Sequence, residues 1–199
     1  MALLKGLPRQ RAKRITRSVS AVCLVLSAWL LSGGLGLPAQ AAPPREYQLK
    51  AVFLFKFAQF VEWPPQAFPD AQAPLVIGVL GRDPFGAYLD ETVRGETVNN
   101  RPLVLQRYGR AEDIRTCHIL FISQSETDRL EQILASLRGR HILTVIDTEG
   151  GALRGVMIRL ITVENKIRLR INLEAAQAAN LKISSKLLRP AEIVTSTND

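Results

Sequence analysis

Cysteine is nearly missing from this 199-residue chain, which has only Cys23 and Cys117. Histidine is equally scarce, with His118 and His141 alone. These shortages exclude a disulfide scaffold, paired-cysteine metal sites and the H-E-x-x-H zinc signature. The chain also lacks a G-x-S-x-G elbow and a phosphate-cradling glycine loop followed by Lys-Ser/Thr. The reading is therefore a protein without catalysis, cofactor or metal. No apolar run is long enough to span a membrane either. The longest, AVCLVLSAWLLSGGLGL (21–37), is broken by Gly33 and Gly34 and falls short of the ~20 residues a span needs.

That run has a different use. Lys5, Arg9, Arg11, Lys13, Arg14 and Arg17 precede it without any acidic residue, and Ala39-Gln40-Ala41 follows it. Basic start, apolar core and A-x-A site together read as a secretory signal peptide cut after Ala41, with periplasmic delivery. The charge argument changes with it. The formal net charge is +8, from 26 basic and 18 acidic residues. Six basic residues lie in the leader, so residues 42–199 carry 20 against 18, or +2. A charge that small gives no support for nucleic-acid binding. Residues 42–199 suit one domain. Their lone cysteine, Cys117, sits in the apolar run TCHILFIS, so no disulfide forms within the mature chain and a buried, inert thiol is expected.

Alternating apolar runs and helical patterns set the fold class. Residues 46–62 place Leu49, Phe53, Leu54, Phe57, Phe60 and Val61 on one broad helical arc, interrupted by Lys50. Gln48, Lys56, Gln59 and Glu62 lie opposite, together with Val52 and Phe55, and Trp63-Pro64-Pro65 ends the helix. Strands are expected at 74–81, 102–108, 117–123 and 141–147. Helices are expected from Pro84, capped by Asp83, and over 127–139, started by Ser125 or Thr127. Strands alternating with helices predict a mostly parallel sheet flanked by helices on both faces. Residues 156–163 and 166–173 flank Glu164-Asn165 and read as a C-terminal β-hairpin. Arg159, Lys166, Arg168 and Arg170 alternate along it, which predicts one wet face. A helix at LEAAQAANLKI and a short piece capped by Ser184 or Ser185 close the chain.

Seven of the twelve aromatic residues fall between Tyr47 and Phe68. Phe53, Phe57 and Phe60 read as core. Phe55, on the polar side, and Trp63, at the helix end, are candidates for a partner or ligand surface, with Gln59 and Glu62 beside them. The opposing reading is that the proline-rich segment 64–69 folds back over them. Arg82, in GRDPFG, should follow a parallel strand at the end where α/β sheets bind ligands, and could hold an anion there. Asp147 ends another strand but has no visible partner. The two histidines read as ordinary strand-end residues near one end of the sheet.

KAVFLFKFAQFVEWP (50–64), IGVLGRDPFG (77–86), CHILFIS (117–123), LTVID (143–147), GVMIRLI (155–161) and INLEAAQAANLKISSKLLRPAEIV (171–194) resemble the YfiR-like family of periplasmic proteins. The first and last blocks are the specific ones. The resemblance implies an α/β fold and a repressor that binds the periplasmic part of an inner-membrane diguanylate cyclase, restraining cyclic-di-GMP synthesis and biofilm formation. A small-ligand sensor near Trp63 and Arg82 is the alternative, and a homodimer is compatible with the resemblance. The chain departs from the family where Phe55-Lys56 replaces Tyr-Asn and where Arg159 replaces Asn. Cys117 matches a cysteine that pairs in some members but has no partner in residues 42–199.

Overall fold

The computed structural model describes residues 44–148 and 155–195. The leader, with its expected cleavage site, lies outside the described residues. Helix α1 (Arg45–Phe60) opens after Pro44, with Glu46 in its first turn, where a carboxylate complements the helix dipole. It buries Lys50, Ala51, Leu54, Phe57 and Ala58, the spacing of one helical stripe. The expected helix to Glu62 ends two residues early. Val61 and Glu62 form strand β1 (Val61–Glu62), paired antiparallel with β9 (Lys182–Ile183). Long-range pairing thus takes the β-branched Val61 out of the helix. Leu49, expected on the buried arc, is 43% exposed, and Lys50 occupies the buried position instead.

The central sheet joins β2 (Leu75–Leu80), β3 (Thr97–Val98), β4 (Arg101–Tyr108), β5 (Ile119–Ile122), β6 (Leu143–Ile146), β7 (Ile158–Val163), β8 (Lys166–Asn172) and β10 (Glu192–Val194). Its spatial order is β10-β8-β7-β6-β5-β2-β4-β3. Only the β7–β8 and β3–β4 pairs are antiparallel. The expected architecture is therefore the observed one: a mostly parallel sheet between helices, with a strand pair at its C-terminal side. Glu164 and Asn165, at φ 49° and 58°, make the left-handed hairpin turn that suits the twist of antiparallel strands.

Each face of the sheet carries its own core. Helices α1 and α2 (Ala87–Val93) pack on one side, with Leu54, Phe57, Leu89, Ile77, Phe121, Val145 and Ile171 in a common cluster. Helix α3 (Leu130–Ser136) covers the other, where Leu130, Ile133 and Leu137 meet Leu80, Leu120, Ile122 and Ile146. Gly78 lies between strands on this second face. A Cβ there would come within 2.7 Å of the Tyr108 ring and 2.8 Å of Cys117 Sγ. Helices α4 (Leu173–Ala178) and α5 (Ser185–Leu188) complete the chain.

Three local expectations change. Asp83 does not cap a helix starting at Pro84. Its Oδ1 accepts from the Phe85 amide at 2.7 Å, its Oδ2 accepts from Arg107 at 2.7 Å, and α2 begins at Ala87. Ser123, rather than Ser125 or Thr127, caps the 3₁₀ segment Gln124–Arg129 that leads into α3. The hairpin's wet face is wet only at its outer end. Lys166 and Arg168 are exposed and Arg170 is half-buried, but Arg159 is buried.

Candidate functional site

The aromatic segment resolves into a layered assembly at the N-terminal end of the sheet. The chain after Pro64-Pro65 turns through the 3₁₀ segment Pro65–Ala67, bringing Phe68 flat onto the His118 ring at 4.4 Å. The Arg101 guanidinium lies 3.8 Å above the other side of Phe68, an attraction of cation for ring face. The same Arg101 donates to the Ala73 and Asp70 carbonyls at 2.7 and 2.9 Å. Trp63 meets His118 edge-on at 6.1 Å, and its indole N–H donates to the His118 carbonyl at 3.3 Å. The segment does fold back, and Trp63, held against His118, stays half-buried.

His118 is the centre of that assembly, and it is committed to structure. The Val76 amide donates to Nδ1 at 3.0 Å, and Nε2 lies 3.1 Å from the Ala67 carbonyl. An amide donor requires a bare Nδ1, so the ring is neutral and Nε2 carries the proton. Burial first, and Arg101 in addition, push its pKa down to about 4 against the rise that the Ala67 carbonyl brings. Both ring nitrogens are used. His141 sits before β6 at the same end of the sheet, as expected, with Nδ1 2.9 Å from the Ala179 carbonyl. Among the described residues, no group of three metal-ligating side chains converges.

Glu62 and Trp63 also line a groove of about 960 Å³, with Pro64, Pro65, His141 and Lys182 on its walls. Phe55 is half-buried and packs against the main core, while Gln59, four residues before Trp63, is exposed on α1's outer side. Leu49 and Val52, 43% and 37% exposed, stand on that outer side as well. Arg82 is elsewhere. It follows the C-terminal end of β2, whereas Trp63 contacts His118, just before β5, whose ring accepts from the Val76 amide near the start of β2. Six residues of strand, roughly 20 Å, separate the two ends. One small ligand cannot touch both.

The end that holds Arg82 is the switch point of the sheet, where the connections after β2 and β5 leave on opposite faces. The chain's own side chains fill this crevice. The Arg82 amide donates to Ser125 Oγ at 3.0 Å. Gly81, at φ 88°, has Ser125 Oγ and Glu126 within 2.8 Å of where a Cβ would stand. Glu126 is buried and paired with Arg129.

The same end holds a pair that sequence reasoning missed. Lys50 Nζ donates to Asp147 Oδ2 at 2.8 Å, with side-chain exposures of 2% and 0%. Glu46 also pairs with Lys50 and accepts from the Thr162 hydroxyl at 2.6 Å. Those hydrogen bonds, Lys50 first, hold the Glu46 carboxyl below its ordinary pKa. Tyr47 lies with its ring 4.7 Å from the Lys50 ammonium, and burial followed by the Asp147 charge keeps its phenol protonated. The intruder in the helical arc and the carboxylate without a visible partner are each other's partners. The signal available was their coincidence: a lysine on an apolar stripe and an aspartate ending a buried strand. Cys117, as expected, is a buried free thiol, pushed up to about 12 chiefly by burial.

Residues 47–192 match the model of the YfiR/HmsC-like family. The chain belongs to that family. The family is periplasmic and regulatory rather than catalytic. Among the described residues, no helix is long and apolar enough to cross a membrane. No curated protein matches the chain.

Proposed function

We propose that this protein is a periplasmic regulator that binds and restrains a membrane-anchored diguanylate cyclase, lowering cyclic-di-GMP and biofilm formation. The leader is removed after Ala41, and residues 42–199 act as one domain. The family match over residues 47–192 carries the reading. The described side chains agree with it. Both ring nitrogens of His118 are met by backbone groups, and Asp147 is paired with Lys50, so neither of these two residues supplies a general base. Leu49 and Val52 offer an exposed aliphatic edge on α1, the kind of surface that anchors a partner when flanked by polar residues. Phe55, Gln59, Glu62 and Trp63 extend this region.

A photocrosslinker at Phe55 or Leu49, used in the native periplasm, tests the reading. Adducts to a membrane cyclase support it. Adducts only to this chain place self-association on that surface and count against it. The second reading, a small-ligand sensor, is favoured by the groove beside Trp63. Trp63 is the only tryptophan in residues 42–199, so its fluorescence reports a ligand there directly. A quench that saturates at micromolar ligand supports the sensor reading, and a flat titration removes it.

A further inference from the structure

The β7–β8 hairpin turns one face to α1 and the other away from it. Ile158, Leu160, Leu169 and Ile171 fill the first and are buried. Cross-strand register places Ile161 opposite Arg168 and Val163 opposite Lys166 on the second. Arg159 and Arg170 continue this row toward β6, where Arg159 is buried. The outer end stays open, with Lys166 and Arg168 exposed and Val163 46% exposed. Helix α3 packs over β2, β5 and β6, and the described core on its side of the sheet includes no residue of β7 or β8.

This face presents cations that no carboxylate among the described residues neutralises, whereas several others in the molecule are paired. Arg107 pairs with Asp83 and Asp90, Arg110 with Glu112, Arg129 with Glu126 and Arg170 with Glu192. Lys166 and Arg168 have no ion pair among the described residues. The residues directly opposite them are aliphatic, where opposite charge is the usual stabilising choice on a sheet. Two unpaired cations interleaved with Ile161 and Val163 make a small checkerboard of charge and apolar surface. Arginine is among the residue types enriched at protein interfaces.

We infer that the outer face of the β7–β8 hairpin docks an acidic extracytoplasmic segment of the membrane-anchored partner, with carboxylates meeting Lys166 and Arg168 and an apolar side chain between Ile161 and Val163. This rests on the regulatory reading above. Charge complementarity selects the occupant. Residues two apart on a strand stand roughly 7 Å apart on one face, which matches carboxylates at alternate positions of an extended segment. Anionic lipid is disfavoured, because headgroup-binding clusters gather about 4–8 cations and this open end supplies two.

The test uses the leaderless chain and, as probe, the purified extracytoplasmic domain of a membrane diguanylate cyclase from the same genome. Affinity is measured for wild type, for Lys166→Glu/Arg168→Glu and for Lys166→Ala/Arg168→Ala. The expected result is a loss of roughly tenfold or more on reversal, a smaller loss on truncation, and weaker wild-type binding as salt rises. Replacing carboxylates of the probe by lysine should restore binding to the reversal variant. Equal affinity of all three chains overturns the inference and leaves the regulatory reading standing. No binding by wild type overturns both. Wild-type binding to phosphatidylglycerol vesicles but not to the cyclase domain replaces the protein partner with a lipid surface and also overturns it.

Discussion

Replacing Lys50 by methionine should destabilise this protein more than any surface change. Methionine keeps an unbranched side chain in the buried stripe of α1 but removes the ammonium from Asp147, whose side chain is 0% exposed. Breaking a buried pair by deleting one partner costs about 3–5 kcal/mol, because the remaining charge is left without compensation. Glu46 contributes little to that cost, since its side chain is 39% exposed and water replaces its lost partner. For a domain of this size, the change corresponds to a fall in melting temperature of roughly 10 °C. The double variant Lys50→Met/Asp147→Leu should recover at least half of the loss, because a pair of apolar groups leaves no buried charge. Urea unfolding followed by Trp63 fluorescence gives all four corners of the cycle. A cost below about 1 kcal/mol for the single variant, or a double variant less stable than both singles, would refute the assignment of a buried, coupled pair.

Acidification should weaken the fold through His118. Its folded pKa of about 4 lies below the ordinary 6.5, so the unfolded chain binds the extra proton first. The stability this neutral ring contributes is complete above pH 6.5 and is lost as pH falls toward 4, by about 3 kcal/mol. His118→Gln should flatten that part of the pH–stability curve, and an unchanged slope would remove His118 as its source. Gly78→Ala should cost about 1–3 kcal/mol, because the new methyl meets the Tyr108 ring and Cys117 Sγ at under 3 Å; a thermal shift within a degree of wild type would contradict it. Cys117 should resist a thiol reagent at pH 8 until denaturant is added, and rapid labelling of the native chain would show the site to be open.

The elements with strong local patterns were legible before any coordinates. β2, β5 and β6 are continuous apolar runs, and the hairpin alternates around a turn that accepts positive φ. β1, β3, β9 and β10 are two or three residues long, too short for a period to show. β3 and β10 add to the free edges of β4 and β8, and β1 and β9 pair with each other, so each depends on the assembled fold. Lys50 and Asp147 were each noticed, but 97 residues separate them, and no spacing rule links a helix position to a distant strand end. Both readings of Trp63 contained part of the arrangement: the proline segment folds back, and the ring still faces a groove. Trp63 and Arg82 were joined in one ligand hypothesis because strand direction was not used. With β2 and β5 parallel, one belongs to each end of the sheet.

The central claim concerns regulation, and cellular cyclic-di-GMP tests it most directly. The measurement compares a strain lacking this protein, the same strain supplied with wild type, and a strain that also lacks the partner cyclase. The account predicts that removal raises cyclic-di-GMP, that wild type restores the lower level, and that the rise disappears when the cyclase is absent. A level that does not move when the protein is removed would contradict the account.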